Sequence, residues 1–246
     1  MLSRVADSLY WMSRYIERAE HTSRLVEVNL KQMLDESPEV SGRRWERVVN
    51  CLRTDPPSKG DREAWVVASW MMLDLANPDS IASCVAAARE NARQVRETIS
   101  TEMWEALNRL HLYVKASLSD ASVRRDPHEF LRRVKLDIHV LHGISDSTVV
   151  HGEGWMFLQA GKSVERAAAT TALLHEHIQD FLALDLDKTG AEVRPDPQGR
   201  RGGLRGIRER SVGDPHRGLI DQDLSTPFSL LHAADSESLH SSHGSL

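Results

Sequence analysis

Over its first 187 residues the chain is built from Ala, Leu, Arg and Glu, with Pro and Gly mainly where one segment hands over to the next. Apolar residues in these stretches return every three or four positions, and nowhere do they alternate strictly enough to make a strand. Such spacing allows little except helices packed on helices. The economical architecture is all-α, an antiparallel helical bundle.

Residues 2–34 read as one long helix, with Val5, Leu9, Met12, Ile16, Ala19, Leu30 and Leu34 on its apolar positions and Pro38 and Gly42 as terminators. Shorter helices are expected over 43–53 and 61–75. Asn77-Pro78-Asp79-Ser80 then starts a helix that runs without a breaker over 81–100 and continues or restarts over 101–119. Asp126-Pro127 opens another over 128–150. The loop Gly152-Glu153-Gly154 leads into a last helix over 155–184. Trp11, Trp65, Trp70 and Trp104 fall at helical positions and are expected to pack, whereas a partner-binding surface would expose one or two of them.

Residues 188–246 are a different material. They hold eight of the 14 glycines, four of the nine prolines and a single aromatic, Phe228, without a periodic apolar face. Too little apolar surface remains to offset the entropy of ordering, so a disordered tail is expected, and the domain boundary falls between 187 and 188. Seven arginines between Arg194 and Arg217 make a local basic patch. The chain as a whole carries a net charge of -5 with both signs interspersed, which disfavours a dedicated nucleic-acid role. Charged residues interrupt every apolar run, so no signal peptide or membrane span is expected. With two cysteines, Cys51 and Cys84, there is neither a disulfide framework nor a metal pair, and a reducing cytoplasm is the default location.

One internal echo is visible. Residues 14–26, RYIERAEHTSRLV, align with residues 162–174, KSVERAAATTALL, at an offset of 148 and share a core of Ile or Val followed by Glu-Arg-Ala. On a helical wheel Glu17, Glu20 and Arg24 share a sector, with Tyr10 and His21 beside them and Arg14 and Arg18 further round, away from the apolar stripe. Within one helix, Glu20 with Arg24 and Arg14 with Glu17 have spacings that stabilise by about 0.2–0.5 kcal/mol per pair. A Glu-Arg dipeptide repeated on two helices permits a second arrangement, in which the carboxylate of one holds the guanidinium of the other across the bundle. A ligand or catalytic site on the same face is the third.

Glu17-x-x-Glu20-His21 also invites a metal reading, because carboxylates and imidazoles on neighbouring bundle helices are how di-iron proteins bind. The second copy offers Glu165 but has Ala168 in place of the other acid, and His139 and His142 have no acid three positions before them. Too few ligands converge by this count, so no metal or other cofactor is expected. No catalytic motif is present: there is no GxSxG, Walker loop or GxGxxG, and both cysteines lie on helical stretches among apolar neighbours, where thiols are inert.

MLSRVADSLYWMSRYIERAEHTSRLVEVNL, NPDSIASCVAAARENARQVRETISTEMWEALNRLHLYV and HGEGWMFLQAGKSVERAAATTALL together resemble the bacterial alpha-E family, over roughly residues 1–182. The resemblance implies an all-helical domain of unassigned molecular function. It also implies a setting beside an ATP-grasp amide ligase, a transglutaminase-like protein and sometimes a proteasome-like peptidase. Departures from the family pattern are Lys162, Ser163, Ala168 and Ala172 in the second copy, and the lack past Asp185 of a second helical half like residues 65–120. That end resembles a shifted reading frame or a degenerate terminus, which translating the other two frames past codon 184 tests.

The expected function is therefore that of a non-catalytic helical partner or scaffold acting with an ATP-grasp-type ligase or a peptide-processing system. The candidate polar clamp or binding face comprises Arg14, Glu17, Arg18, Glu20, Arg24, Glu165 and Arg166. The alternative is an enzyme or ligand-binding subunit using that Glu/Arg face for an anionic peptide or a phosphate.

Overall fold

Helix signals in the sequence become helices wherever a cap or an apolar stripe supports them. The computed structural model describes residues 1–32, 38–52 and 64–191, which contain eight helices and no strand. These are α1 (Ser3–Gln32), α2 (Pro38–Leu52), α3 (Ala64–Leu73), α4 (Ile81–Gln94), α5 (Thr101–Ser117), α6 (Ala121–Arg125), α7 (Pro127–Thr148) and α8 (Glu153–Ala191).

Several boundaries differ from the sequence reading, each for a local reason. Pro38 opens α2 instead of terminating α1, since a proline at the first helical position loses no hydrogen bond. The helix start is at Ser80, whose hydroxyl accepts from the Ser83 N–H, so Pro78 belongs to the turn before α4. The expected run over 81–100 breaks at Val95 and restarts at Ser100, whose hydroxyl accepts from the Met103 N–H. Asp126 caps α7, as Asp126-Pro127 foretold, through a bond from the Glu129 N–H. The short α6, capped by Asp120, had no counterpart in the periodicity. Gly154 lies in the first turn of α8, not in a loop. That last helix continues to Ala191, past the expected boundary at 187/188, within a unit spanning Met1–Arg194. The rest of the expected tail, with its basic patch, lies outside the described residues.

Cross-helix pairs fix the arrangement. Ser8 meets Gln94 and Arg18 meets Asp79, so α4 runs antiparallel to α1; Arg89 meets Asn108 and Trp104 meets Arg96, so α5 reverses again. Tyr113 stacks on Phe130 and Thr148 bonds Ser100, which makes α7 antiparallel to α5, and Glu27 with Lys135 closes α7 back onto α1. Thus α1, α4, α5 and α7 form an up-down-up-down four-helix bundle. Its core includes Met12, Ile16, Ala19, Val26, Val85, Leu107, Leu110, Val134 and Ile138.

The α8 helix lies outside this square, against α1 and α2. It runs parallel to α1, for Tyr10 meets Gly161 and Arg14 meets Glu165 further along both. A Cβ at Gly161 would stand 2.4 Å from the Tyr10 carbonyl oxygen, so only glycine lets the two backbones approach this closely. The neighbouring Ser13 hydroxyl donates to the Leu158 carbonyl at 2.6 Å.

Candidate functional site

Close approach at Gly161 brings the two Glu-Arg dipeptides level. Glu165 Oε2 accepts from Arg14 Nε at 2.8 Å, and its Oε1 from Arg18 Nε at 2.7 Å. Reciprocally, Arg166 Nε donates to Glu17 Oε1 at 2.8 Å. Glu17 therefore holds Arg166 while Glu165 holds Arg18, an exchange that follows a local two-fold between α1 and α8. The backbone contacts obey it too, because Ser13 against Leu158 and Gly161 against Tyr10 are the same pair of repeat positions swapped. The offset of 148 seen in the sequence is the register of this interface.

The clamp is buried on one side and open on the other. Arg14 is sealed, its guanidinium carbon 4.8 Å from the Trp11 ring centroid and 5.6 Å from that of Tyr10. Arg18 reaches past Glu165 to Asp79 Oδ1 at 2.5 Å, tying the turn before α4 into the network. Arg166 is exposed. Burial by itself would raise the Glu165 carboxyl, but the hydrogen bonds and charge of Arg18, then Arg14, outweigh it and hold the group below its ordinary range. Burial likewise would lower the Arg18 guanidinium, and bonding to Glu165 raises it instead.

A second polar cluster joins this one at Glu17 and runs toward α7. Glu20 Oε1 accepts from Arg24 Nε at 3.0 Å and Nη2 at 2.5 Å, the intrahelical pair read from spacing. His139 Nε2 lies 3.1 Å from the same oxygen, and His142 Nε2 lies 3.2 Å from Glu20 Oε2. Burial would raise the Glu20 carboxyl, yet His142 and Arg24 hold it far below the usual carboxylate range. Glu17 Oε2 is buried without a hydrogen-bond partner, 3.7 Å from His142 Nε2.

All seven residues of the sequence-derived face are brought into these two joined networks. Arg14 does not pair with Glu17 along the helix, as one reading of the spacing allowed; it turns to Glu165 instead. The side of α1 carrying Arg14, Glu17 and Glu20 is covered by α8 and α7, the cross-bundle arrangement that the repeated Glu-Arg dipeptide permitted. The ligand count taken from the sequence changes once the helices are packed. His21 is not among the converging atoms, but His142 arrives from α7, and its nitrogen and one oxygen each of Glu17 and Glu20 lie within 4.8 Å of one another. Sequence reasoning missed Asp79, taken as part of a helix start, and set His139 and His142 aside because the partner acids sit on another helix.

The remaining inventory is quiet. Burial pushes the Cys84 thiol up to about 12 and the half-buried Cys51 up to about 11, away from thiolate chemistry. None of the tryptophans Trp11, Trp65, Trp70 and Trp104 is exposed. No helix among the described residues is long and apolar enough to cross a membrane.

A helical bundle in which α1 and α8 exchange glutamate and arginine defines a class of helical domain built on a Glu-Arg motif. The chain belongs to the Alpha-E family, described as a predicted alpha-helical domain with a conserved ER motif, which matches residues 1–194. It is similar to Uncharacterized protein Mb2597 of Mycobacterium bovis, with 27% identity over 191 residues that cover 70% of this chain and 22% of the relative. Uncharacterized protein Rv2567 of Mycobacterium tuberculosis is 26% identical over 191 residues, with the same coverage. The chain thus spans less than a quarter of the length of these relatives. No solved structure matches.

Proposed function

We propose that this protein is a non-catalytic helical partner, and that α8 seats two helices of a second protein that run antiparallel to it, as α1 seats α4 and α7. The observation that carries this reading is a stripe along the outer face of α8: Met156, Ala160, Val164, Ala167, Thr171, Leu174 and Ile178, all exposed. Shifted by the repeat offset, these are the positions of Ser8, Met12, Ile16, Ala19, Ser23, Val26 and Leu30 on α1, of which all but the half-buried Leu30 are buried in the bundle. The same seam thus exists twice, and among the described residues it is covered once. An exposed apolar row at three- and four-residue steps is the surface that helix-on-helix docking requires.

The charged face supports the same side of the question. Arg14, Arg18, Arg24 and Arg166 each bind a carboxylate of this chain, so an anionic peptide or phosphate would have to displace an existing ion pair. Partners follow from the family resemblance: an ATP-grasp amide ligase, a transglutaminase-like protein or a proteasome-like peptidase, working in the cytoplasm.

The test compares the tagged full chain with the Val164→Glu/Leu174→Glu double variant, both purified from the native host. Recovery of one of those three protein classes with the wild type and its loss with the variant, at an unchanged melting temperature, is the expected result. Recovery of none, or equal recovery with both, overturns the proposal. A concentration-dependent dimer abolished by the variant would overturn it as well, by assigning the seam to a second copy of this chain.

A further inference from the structure

Glu17-x-x-Glu20 on α1 faces His139-x-x-His142 on the antiparallel α7, so two acids and two imidazoles meet across one helix pair. Each carboxylate divides its oxygens. Oε1 of Glu17 is held by Arg166 and Oε1 of Glu20 by Arg24, while the two Oε2 atoms turn to His142 Nε2. Anchoring one oxygen by a cation and presenting the other is how outer-shell groups orient metal-binding carboxylates.

One observation sets this apart from an ordinary acidic cluster. The Glu17 side chain is 7% exposed, and its Oε2 points into the cluster without a hydrogen bond, at 3.7 Å from the imidazole. A buried carboxylate oxygen loses its hydration and ordinarily regains a donor. That oxygen shares the space between Glu17, Glu20 and His142, where a cation would find one donor atom from each. Donors around one tetrahedral zinc ion stand about 3.4 Å apart; His142 Nε2 is 3.2 Å from one carboxylate oxygen and 3.7 Å from the other. All three donor atoms lie within 4.8 Å of one another.

We infer that Glu17, Glu20 and His142 bind a divalent transition-metal cation that fastens α7 to α1. An imidazole beside two carboxylates suits Zn²⁺, Mn²⁺ or Fe²⁺ better than the all-oxygen preference of Mg²⁺ or Ca²⁺. The half-exposed His139 gives the ion a way in from solvent, whereas Arg166 and Arg24 keep each carboxylate from rotating away.

The full chain, stripped with a chelator, is titrated with Zn²⁺, Mn²⁺ and anaerobic Fe²⁺, following bound metal by elemental analysis and stability by thermal melting. One equivalent of at least one ion should bind and raise the melting temperature. His142→Ala and the near-isosteric Glu17→Gln should each weaken that binding by at least about tenfold. With Co²⁺ as a probe, the visible absorption bands should change in His142→Ala, a signature that loss of packing alone does not produce. No stoichiometric binding by the wild type overturns the inference. Binding and cobalt spectra unchanged in both variants overturn it equally, by placing the metal on other histidines of the chain.

Discussion

Glu165→Gln would leave Arg14, whose side chain is 2% exposed, facing an amide where it now has a carboxylate. Removing one partner of a buried ion pair strands the other charge, so the variant should lose about 3–5 kcal/mol of unfolding free energy in urea. Arg166→Ala tests the half-open case. Its side chain is 59% exposed but that of its partner Glu17 only 7%, so the variant takes the donor from a buried carboxylate and should lose about 1–3 kcal/mol, less than Glu165→Gln. Acid should act through the same carboxylate. Because the folded Glu165 is held below its ordinary range, its contribution is complete above the unfolded value of about 4.3 and fades as pH falls through the folded one. Urea midpoints at pH 7 and pH 3.5 should converge for wild type and Glu165→Gln, the wild type losing more on acidification. At this scale the repeat made Glu17, Arg18, Glu165 and Arg166 legible, since both copies carry the same dipeptide. Asp79 and His142 were not, because nothing near them in the chain announces the groups they meet.

Between elements, the α1–α8 pair depends on a residue without a side chain. Alanine ordinarily strengthens a helix relative to glycine, by about 1 kcal/mol. At position 161 the added carbon would meet the Tyr10 carbonyl oxygen at 2.4 Å, and backbone cannot swing aside as a flexible side chain would. Gly161→Ala should therefore destabilise by about 1–3 kcal/mol despite its better propensity, as read from the urea midpoint. Separation of the helices would also lengthen the Glu17 to Arg166 bond on the same interface. Helix order and most centres were readable from period and breakers. The ends were less so: a cap such as Ser80 or Ser100 is a single hydroxyl, and the residues around it fit both a continuing and a restarting helix.

Taken as a whole, the molecule contains the same apolar seam in two environments, which allows a controlled comparison. Ile16 on α1 and Val164 on α8 are equivalent positions of the repeat, 4% and 43% exposed. Ile16→Ala should cost about 2–5 kcal/mol by opening a cavity in the four-helix core. Val164→Ala should stay within about 0.5 kcal/mol, the range of surface changes. Equal losses at the two sites would mean that α8 buries its outer face in solution, and thermal melts at several protein concentrations would then reveal the assembly that covers it.

By itself, the sequence determined that the chain is helical, that two helices carry related Glu-Arg copies, and which side chains share a face, because the helical period fixes side-chain direction residue by residue. Tertiary structure alone decided which faces meet. It buried Arg14, delivered His142 to Glu17 and Glu20 from more than a hundred residues away, and, among the described residues, covered one of two equivalent seams and not the other. Those outcomes depend on how whole helices pack, a balance of buried area and paired charge between segments distant in the chain that local periodicity does not encode.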